Sequence, residues 1–142
     1  MTVYKTNSPE ETTSIAAEFS KLAQPGDIIC LSGPLGAGKT VFAQGFACGL
    51  GFCGQVTSPT FTIMQIYEGG RLPIYHFDWY RLEGGIGELE GIGYEDYFFA
   101  DGVSLIEWPE MAAEAVPPGA VRVEIRVDLL QGGDYREIEW AT

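Results

Sequence analysis

Three observations predict an α/β protein with a mixed central sheet flanked by helices. The apolar run Ile28-Ile29-Cys30-Leu31 suits a strand buried on both faces of a parallel sheet. A glycine-rich segment, Gly33 to Thr40, follows it at once and opens into an apolar helical stretch. Strand-like and helix-like runs then mix to the end of the chain. At 142 residues, 46% hydrophobic and 20% charged, one domain over 1–142 is expected. A chain of that size buries about 70% of its unfolded surface, enough to fold without disulfides or a structural metal.

Taken in order, Val3–Thr6 reads as a short strand. Ser8-Pro9-Glu10-Glu11 is a helix start, with Ser8 as N-cap, Pro9 at the first helical position and Glu11 closing a capping box. Ile15, Phe19 and Leu22, with Ala16 and Ala23, make the apolar stripe of that helix, which Pro25-Gly26-Asp27 ends. A second helix is expected from Lys39 to about Leu50, stopped by Gly49 and Gly51. Thr62–Tyr67 and Leu72–Phe77 read as strands around Glu68-Gly69-Gly70-Arg71, and Val103–Ile106 as a further buried strand ending in Glu107. Val121–Leu129 and Tyr135–Trp140 pair as a C-terminal β-hairpin around Gln131-Gly132-Gly133-Asp134.

Gly33-Pro34-Leu35-Gly36-Ala37-Gly38-Lys39-Thr40 matches the phosphate-loop pattern at every fixed position. The glycines let successive N–H groups point into one cavity, which joins the N-terminus of the following helix in an anion nest. Lys39 supplies a point charge for β- and γ-phosphates, and the Thr40 hydroxyl a hard oxygen for Mg²⁺. A buried strand before the loop and an apolar helix after it complete the context, so a single P-loop NTPase-like domain is expected. Asn7 is the only asparagine, which removes the Asn-Lys-x-Asp guanine-reading motif and favours ATP.

Phosphoryl chemistry also needs carboxylates at strand ends. Glu107, after Val103-Ser104-Leu105-Ile106, has the Walker-B layout with Glu in place of Asp, and Asp78 ends the run from Leu72 to Phe77. His76, the only histidine, alternates with Ile74 and Asp78 on one strand face; a site residue and a hydrogen-bonded core residue are both open readings. Arg81 is placed to pair with phosphate or with Asp78. Thr57-Ser58-Pro59-Thr60-Phe61 is a loop in which a hydroxyl can sense a γ-phosphate, or simply a proline turn.

The net charge of −12 argues against a protein that grips nucleic acid or anionic membrane through its own basic field. Val41 to Tyr67 is uncharged but is broken by polar residues and glycines, so no membrane span is expected. Cys30, Cys48 and Cys53 lack metal-ligand spacing and read as buried free thiols; with no signal peptide visible, a cytoplasmic protein is expected. Between Leu82 and Val121 there are nine acidic residues and no basic one, either a solvated face or a docking surface for a basic partner.

Four ordered segments resemble the bacterial TsaE (YjeE) family: Leu31 to Thr40, Thr57 to Phe61, His76-Phe77-Asp78-Trp79-Tyr80-Arg81-Leu82, and Ile106-Glu107-Trp108-Pro109. The resemblance covers about residues 8–110. It implies an ATPase needed for N6-threonylcarbamoyladenosine in tRNA, acting with TsaD and TsaB and stimulated by them, with tRNA met only through those partners. By the same resemblance Gly36, Ala37, Gly38, Lys39, Thr40 and Val41 hold the nucleotide, and Thr60 belongs to the switch-like loop. Thr40 and Glu107 are implied Mg²⁺ ligands, Asp78 a metal-shell or water-orienting group, and Gly132 part of a turn that approaches the nucleotide. Pro34 stands where the family usually carries an acidic residue, and Trp79 where it carries an aliphatic one. A small-molecule kinase and a nucleotide-gated binding module with little hydrolysis are the alternatives.

Overall fold

The computed structural model describes residues 2–34, 36–52, 54–57 and 63–141. They form β1 (Thr2–Thr6), α1 (Pro9–Ser20), β2 (Ile28–Ser32), α2 (Lys39–Gly49), β3 (Met64–Tyr67), β4 (Ile74–Asp78), α3 (Ile86–Gly91), α4 (Tyr94–Phe98), β5 (Val103–Glu107), a 3₁₀ stretch (Pro109–Ala115), β6 (Val121–Val127) and β7 (Arg136–Ala141). All seven strands join one sheet in the order β1-β7-β6-β2-β5-β4-β3. Its centre, β6-β2-β5-β4, is parallel, and the flanking strands β3, β7 and β1 run antiparallel to their neighbours. The C-terminal hairpin is thus part of the central sheet, with β6 seated directly against β2.

Strand alternation divides the molecule into two cores. On one face Ile29, Leu31, Ile74, Leu105 and Ile125 pack against Phe19 of α1 and Phe42 and Phe46 of α2. On the other, Ile28, Cys30, Phe77 and Ile106 pack under Leu89, Tyr94, Phe98 and the 3₁₀ stretch. Burying a side chain of this size contributes about 1.5–3 kcal/mol each, so the sheet is fixed from both sides. Gly45 and Gly49, one turn apart on α2, let that helix lie directly on the backbone of Thr13 and Ala17 in α1.

Ser8 caps α1 as expected, its Oγ accepting from the Glu11 N–H at 3.1 Å. The expected capping box closes one residue further out, because Glu11 Oε1 takes the N–H of Asn7 at 3.2 Å. The apolar stripe stops earlier than its spacing suggested. Helix α1 ends at Ser20, so Leu22 falls outside the helical period and is 59% exposed. Cys30 is buried, but Cys48 is exposed, contrary to expectation, because it lies off the Phe42–Ala43–Phe46–Ala47 stripe of α2. Cys53 lies outside the described residues, as does Thr62 at the expected start of β3. Residues 84–98, glycine-rich over 84–93, carry α3 and α4, two helices that the sequence pattern does not announce. Most acidic residues of 83–114 are exposed there, but Glu107 points inward. Among the described residues no helix is long and apolar enough to cross a membrane.

Candidate functional site

The parallel strands deliver their C-terminal ends to one edge, where ligands of open α/β sheets bind. At the end of β2 the chain turns sharply. A Cβ on Gly33 would sit 2.7 Å from the Ile125 carbonyl, so β6 excludes any larger residue there. Gly38 holds φ at 100° as the N-cap of α2, a left-handed conformation natural to glycine. Among the described residues no side chain caps α2, and its first turn has no acidic residue, so the helix presents its N–H groups and positive dipole end at this edge. Leu35 lies outside the described residues.

Gly36, Gly38, Lys39, Thr40 and Val41 line a cleft of about 610 Å³. Its opposite wall is Asp78, Tyr80, Arg81, Glu107 and Trp108. Every sequence-predicted catalytic or metal residue therefore meets in one place. Ala37 and Val41 also border a small adjoining hollow with Asp134 and Arg136. Gly132 lies two residues before Asp134, in the turn that reaches the loop through Arg136. Thr60 lies outside the described residues.

Lys39 is nearly buried; its Nζ donates to the Gly33 carbonyl at 2.6 Å and sits 3.6 Å from the centre of the Trp108 ring. Burial pushes the Lys39 pKa down, while the carboxylates of Glu107, Glu110 and Asp78 oppose the shift. Trp108 holds φ at 59°, an outlier for a bulky residue, and its ring lies 4.8 Å from that of Tyr80. Strain of this kind persists where the surroundings over-determine it. The conformation sets the indole over the lysine.

Asp78 and Glu107 face each other across the β4–β5 register. The Trp79 N–H donates to the Glu107 carbonyl at 3.0 Å, tying the two strand ends together, and the Tyr80 N–H donates to Asp78 Oδ1 at 2.9 Å, fixing that carboxylate locally. Of the two readings left open for His76, the structure shows the hydrogen-bonded core residue. It is fully buried, and its Nε2 lies 2.6 Å from Glu107 Oε2.

Two contributors escaped the sequence reading. Arg136 donates from Nε to the Ala37 carbonyl at 2.7 Å and from Nη2 to the Gly36 carbonyl at 3.2 Å, clamping the glycine loop from outside. These loop partners are 99 and 100 residues away, so no local pattern marks the clamp. Trp108 belongs to the segment Ile106 to Pro109, but nothing in its spacing places the ring over Lys39.

Fold and cleft define a P-loop NTPase-like α/β domain. A family model described as "Threonylcarbamoyl adenosine biosynthesis protein TsaE" matches residues 6–138. The chain belongs to the TsaE family. A relative from Bacillus subtilis, "tRNA threonylcarbamoyladenosine biosynthesis protein TsaE", is 45% identical over 135 residues, 95% of this chain and 82% of the relative. The protein of that name from Treponema pallidum is 38% identical over 120 residues, 84% of this chain and 87% of the relative. The crystal structure of Bacillus subtilis YdiB superposes with a TM-score of 0.82 at 40% identity, covering 98% of this chain and 83% of that one.

Proposed function

We propose that this protein is an Mg²⁺-dependent ATPase of tRNA threonylcarbamoyladenosine biosynthesis that works with TsaD and TsaB. The pathway assignment rests on family membership and on the names of its relatives. The observation that carries the chemistry is the convergence of Lys39, Thr40, Asp78 and Glu107 on one cleft beside the N-terminus of α2.

In this reading, Gly36, Ala37, Gly38, Thr40 and Val41 cradle the phosphates with backbone N–H groups. Lys39 exchanges its bond to the Gly33 carbonyl for phosphate oxygens. The donor set suits Mg²⁺: Thr40 offers a hydroxyl and Glu107 a carboxylate, both hard oxygens, and this ion usually takes one or two carboxylates together with substrate phosphates. Bound there, the ion would neutralise charge developing on the phosphates. Asp78, fixed by the Tyr80 N–H, orients the attacking water.

Besides Lys39, Arg81 is the only cation lining the cleft among the described residues. Hydrolysis by the isolated chain is therefore slow, and partners raise it by ordering the site or adding positive charge. The net charge of −12 leaves tRNA to the partners.

Equilibrium binding of a fluorescent ATP analogue, with and without Mg²⁺, tests the reading. Lys39→Ala removes charge-assisted bonds of about 1.5–3 kcal/mol and should weaken binding roughly ten- to hundredfold. Wild-type protein that ignores ATP, or a Lys39→Ala variant that binds equally well, contradicts it.

A further inference from the structure

A polar row crosses the helix-covered, otherwise apolar face of the sheet, directly behind the cleft. It starts at Glu107 on β5, passes to His76 on β4 through the 2.6 Å contact, and continues to Tyr67 on β3, whose hydroxyl lies 3.1 Å from His76 Nδ1. The same hydroxyl lies 3.0 Å from the Thr57 carbonyl and 2.9 Å from Gln65 Oε1. Glu107, His76 and Tyr67 are all buried, among Ile74, Leu105, Phe52 and other apolar neighbours. Such a row is expensive to bury and persists only if its members are mutually satisfied.

We propose that His76 is a positioning residue: its Nε2 fixes the Glu107 carboxylate in the cleft, and Tyr67 holds the ring in place from behind. A carboxylate is planar, so tying Oε2 to a rigid donor fixes the direction of Oε1 as well. Glu107 is a flexible side chain with three torsions, and without that tie its strand-end position alone would not select one of them. His76 is rigid because its ring is enclosed by the sheet and because its second nitrogen is also bonded. The donor role needs no change of protonation. With Glu107 ionised, Nε2 carries the hydrogen between them whether the ring is neutral or doubly protonated. Partners that orient a metal-ligating group in this way commonly govern metal affinity by about 10–100-fold.

The inference rests on the proposed role of Glu107 toward Mg²⁺, and its test separates the two. Binding of a fluorescent ATP analogue is titrated with Mg²⁺ in wild type, His76→Leu, His76→Gln and Tyr67→Phe, and repeated in EDTA. Gln extends an N–H donor to about the reach of Nε2, whereas Leu fills the space without one. His76→Leu should raise the half-saturating Mg²⁺ concentration about tenfold or more, with EDTA affinity changed less than about twofold. His76→Gln should recover to within about threefold of wild type, and Tyr67→Phe should shift it about threefold. A merely structural histidine would lower both affinities together, or neither. His76→Leu with a wild-type Mg²⁺ midpoint overturns the proposal, as does a folded His76→Gln no better than His76→Leu. If His76→Leu fails to fold, a Tyr67→Phe or a His76→Gln midpoint outside those limits overturns it instead. Wild-type binding that is indifferent to Mg²⁺ removes the metal role of Glu107 itself, a distinct failure.

Discussion

Replacing Arg136 by Ala tests whether the phosphate loop is built in advance of its ligand. Four hydrogen bonds leave this guanidinium: two to the loop carbonyls of Ala37 and Gly36, and two to Gly133 and Tyr135 at 2.9 and 2.7 Å. They staple β7 to the loop across most of the chain. Charge-assisted bonds contribute about 1.5–3 kcal/mol when buried. Arg136 is half-buried and the Gly36 carbonyl is open to water, so the two loop bonds together are worth about 1–2 kcal/mol. For a chain of this length that lowers Tm by about 2–6 °C. The loop's ordering entropy then falls on the binding step, and ATP affinity drops about five- to thirtyfold. Calorimetric melting and titration calorimetry read the two effects separately. Arg136→Lys keeps the charge but not the planar fork, and should recover less than half of the affinity loss. An Arg136→Ala variant with affinity within about twofold of wild type and an unshifted Tm would refute the account of the loop.

Phe46 is fully buried on α2, its ring 6.1 Å from that of Phe19, so Phe46→Ala should destabilise by about 3–5 kcal/mol in denaturant melts. A change below about 1 kcal/mol would mean that the α1–α2 layer is not packed as described. Burial pushes the Cys30 thiol up to about 11, leaving about one thiolate in a thousand at pH 8. Iodoacetamide should therefore label exposed Cys48 in the native protein and Cys30 only after unfolding, as read by peptide mass spectrometry; equal native rates would contradict the burial.

What could be read from the sequence was local. The buried run 28–31, the glycine loop and the helix after it are adjacent in the chain, and each states its own geometry. The strand ends at Asp78 and Glu107 were visible for the same reason. Their opposition was not, since it depends on the register of two strands separated by two short helices. Those helices escaped because glycines at 84, 85, 87, 91 and 93 lower the local helix signal, while Leu89, Tyr94 and Phe98 fold it against the sheet. The hairpin 121–140 was legible as a pair, but not its insertion beside β2, because partner choice is tertiary. Arg136, Tyr67 and the Trp108 ring belong to the same class: their roles appear only when distant strands meet. Trp79 marks the reverse situation. Its indole fills a fully buried place, yet its N–H finds no hydrogen-bond partner among the described residues, an unfavourable contribution of about 1–3 kcal/mol that size and hydrophobicity conceal.

In the proposed function, the cleft of Lys39, Thr40, Asp78 and Glu107 turns over Mg·ATP under the control of partner proteins. Steady-state ATP hydrolysis by the purified chain, alone and with TsaD and TsaB, tests it directly, with Glu107→Ala as control. The expected result is slow turnover alone, stimulation of about tenfold or more by the two partners together, and loss of the stimulated rate in Glu107→Ala. A partner-independent rate, or stimulated turnover that survives Glu107→Ala, would contradict it.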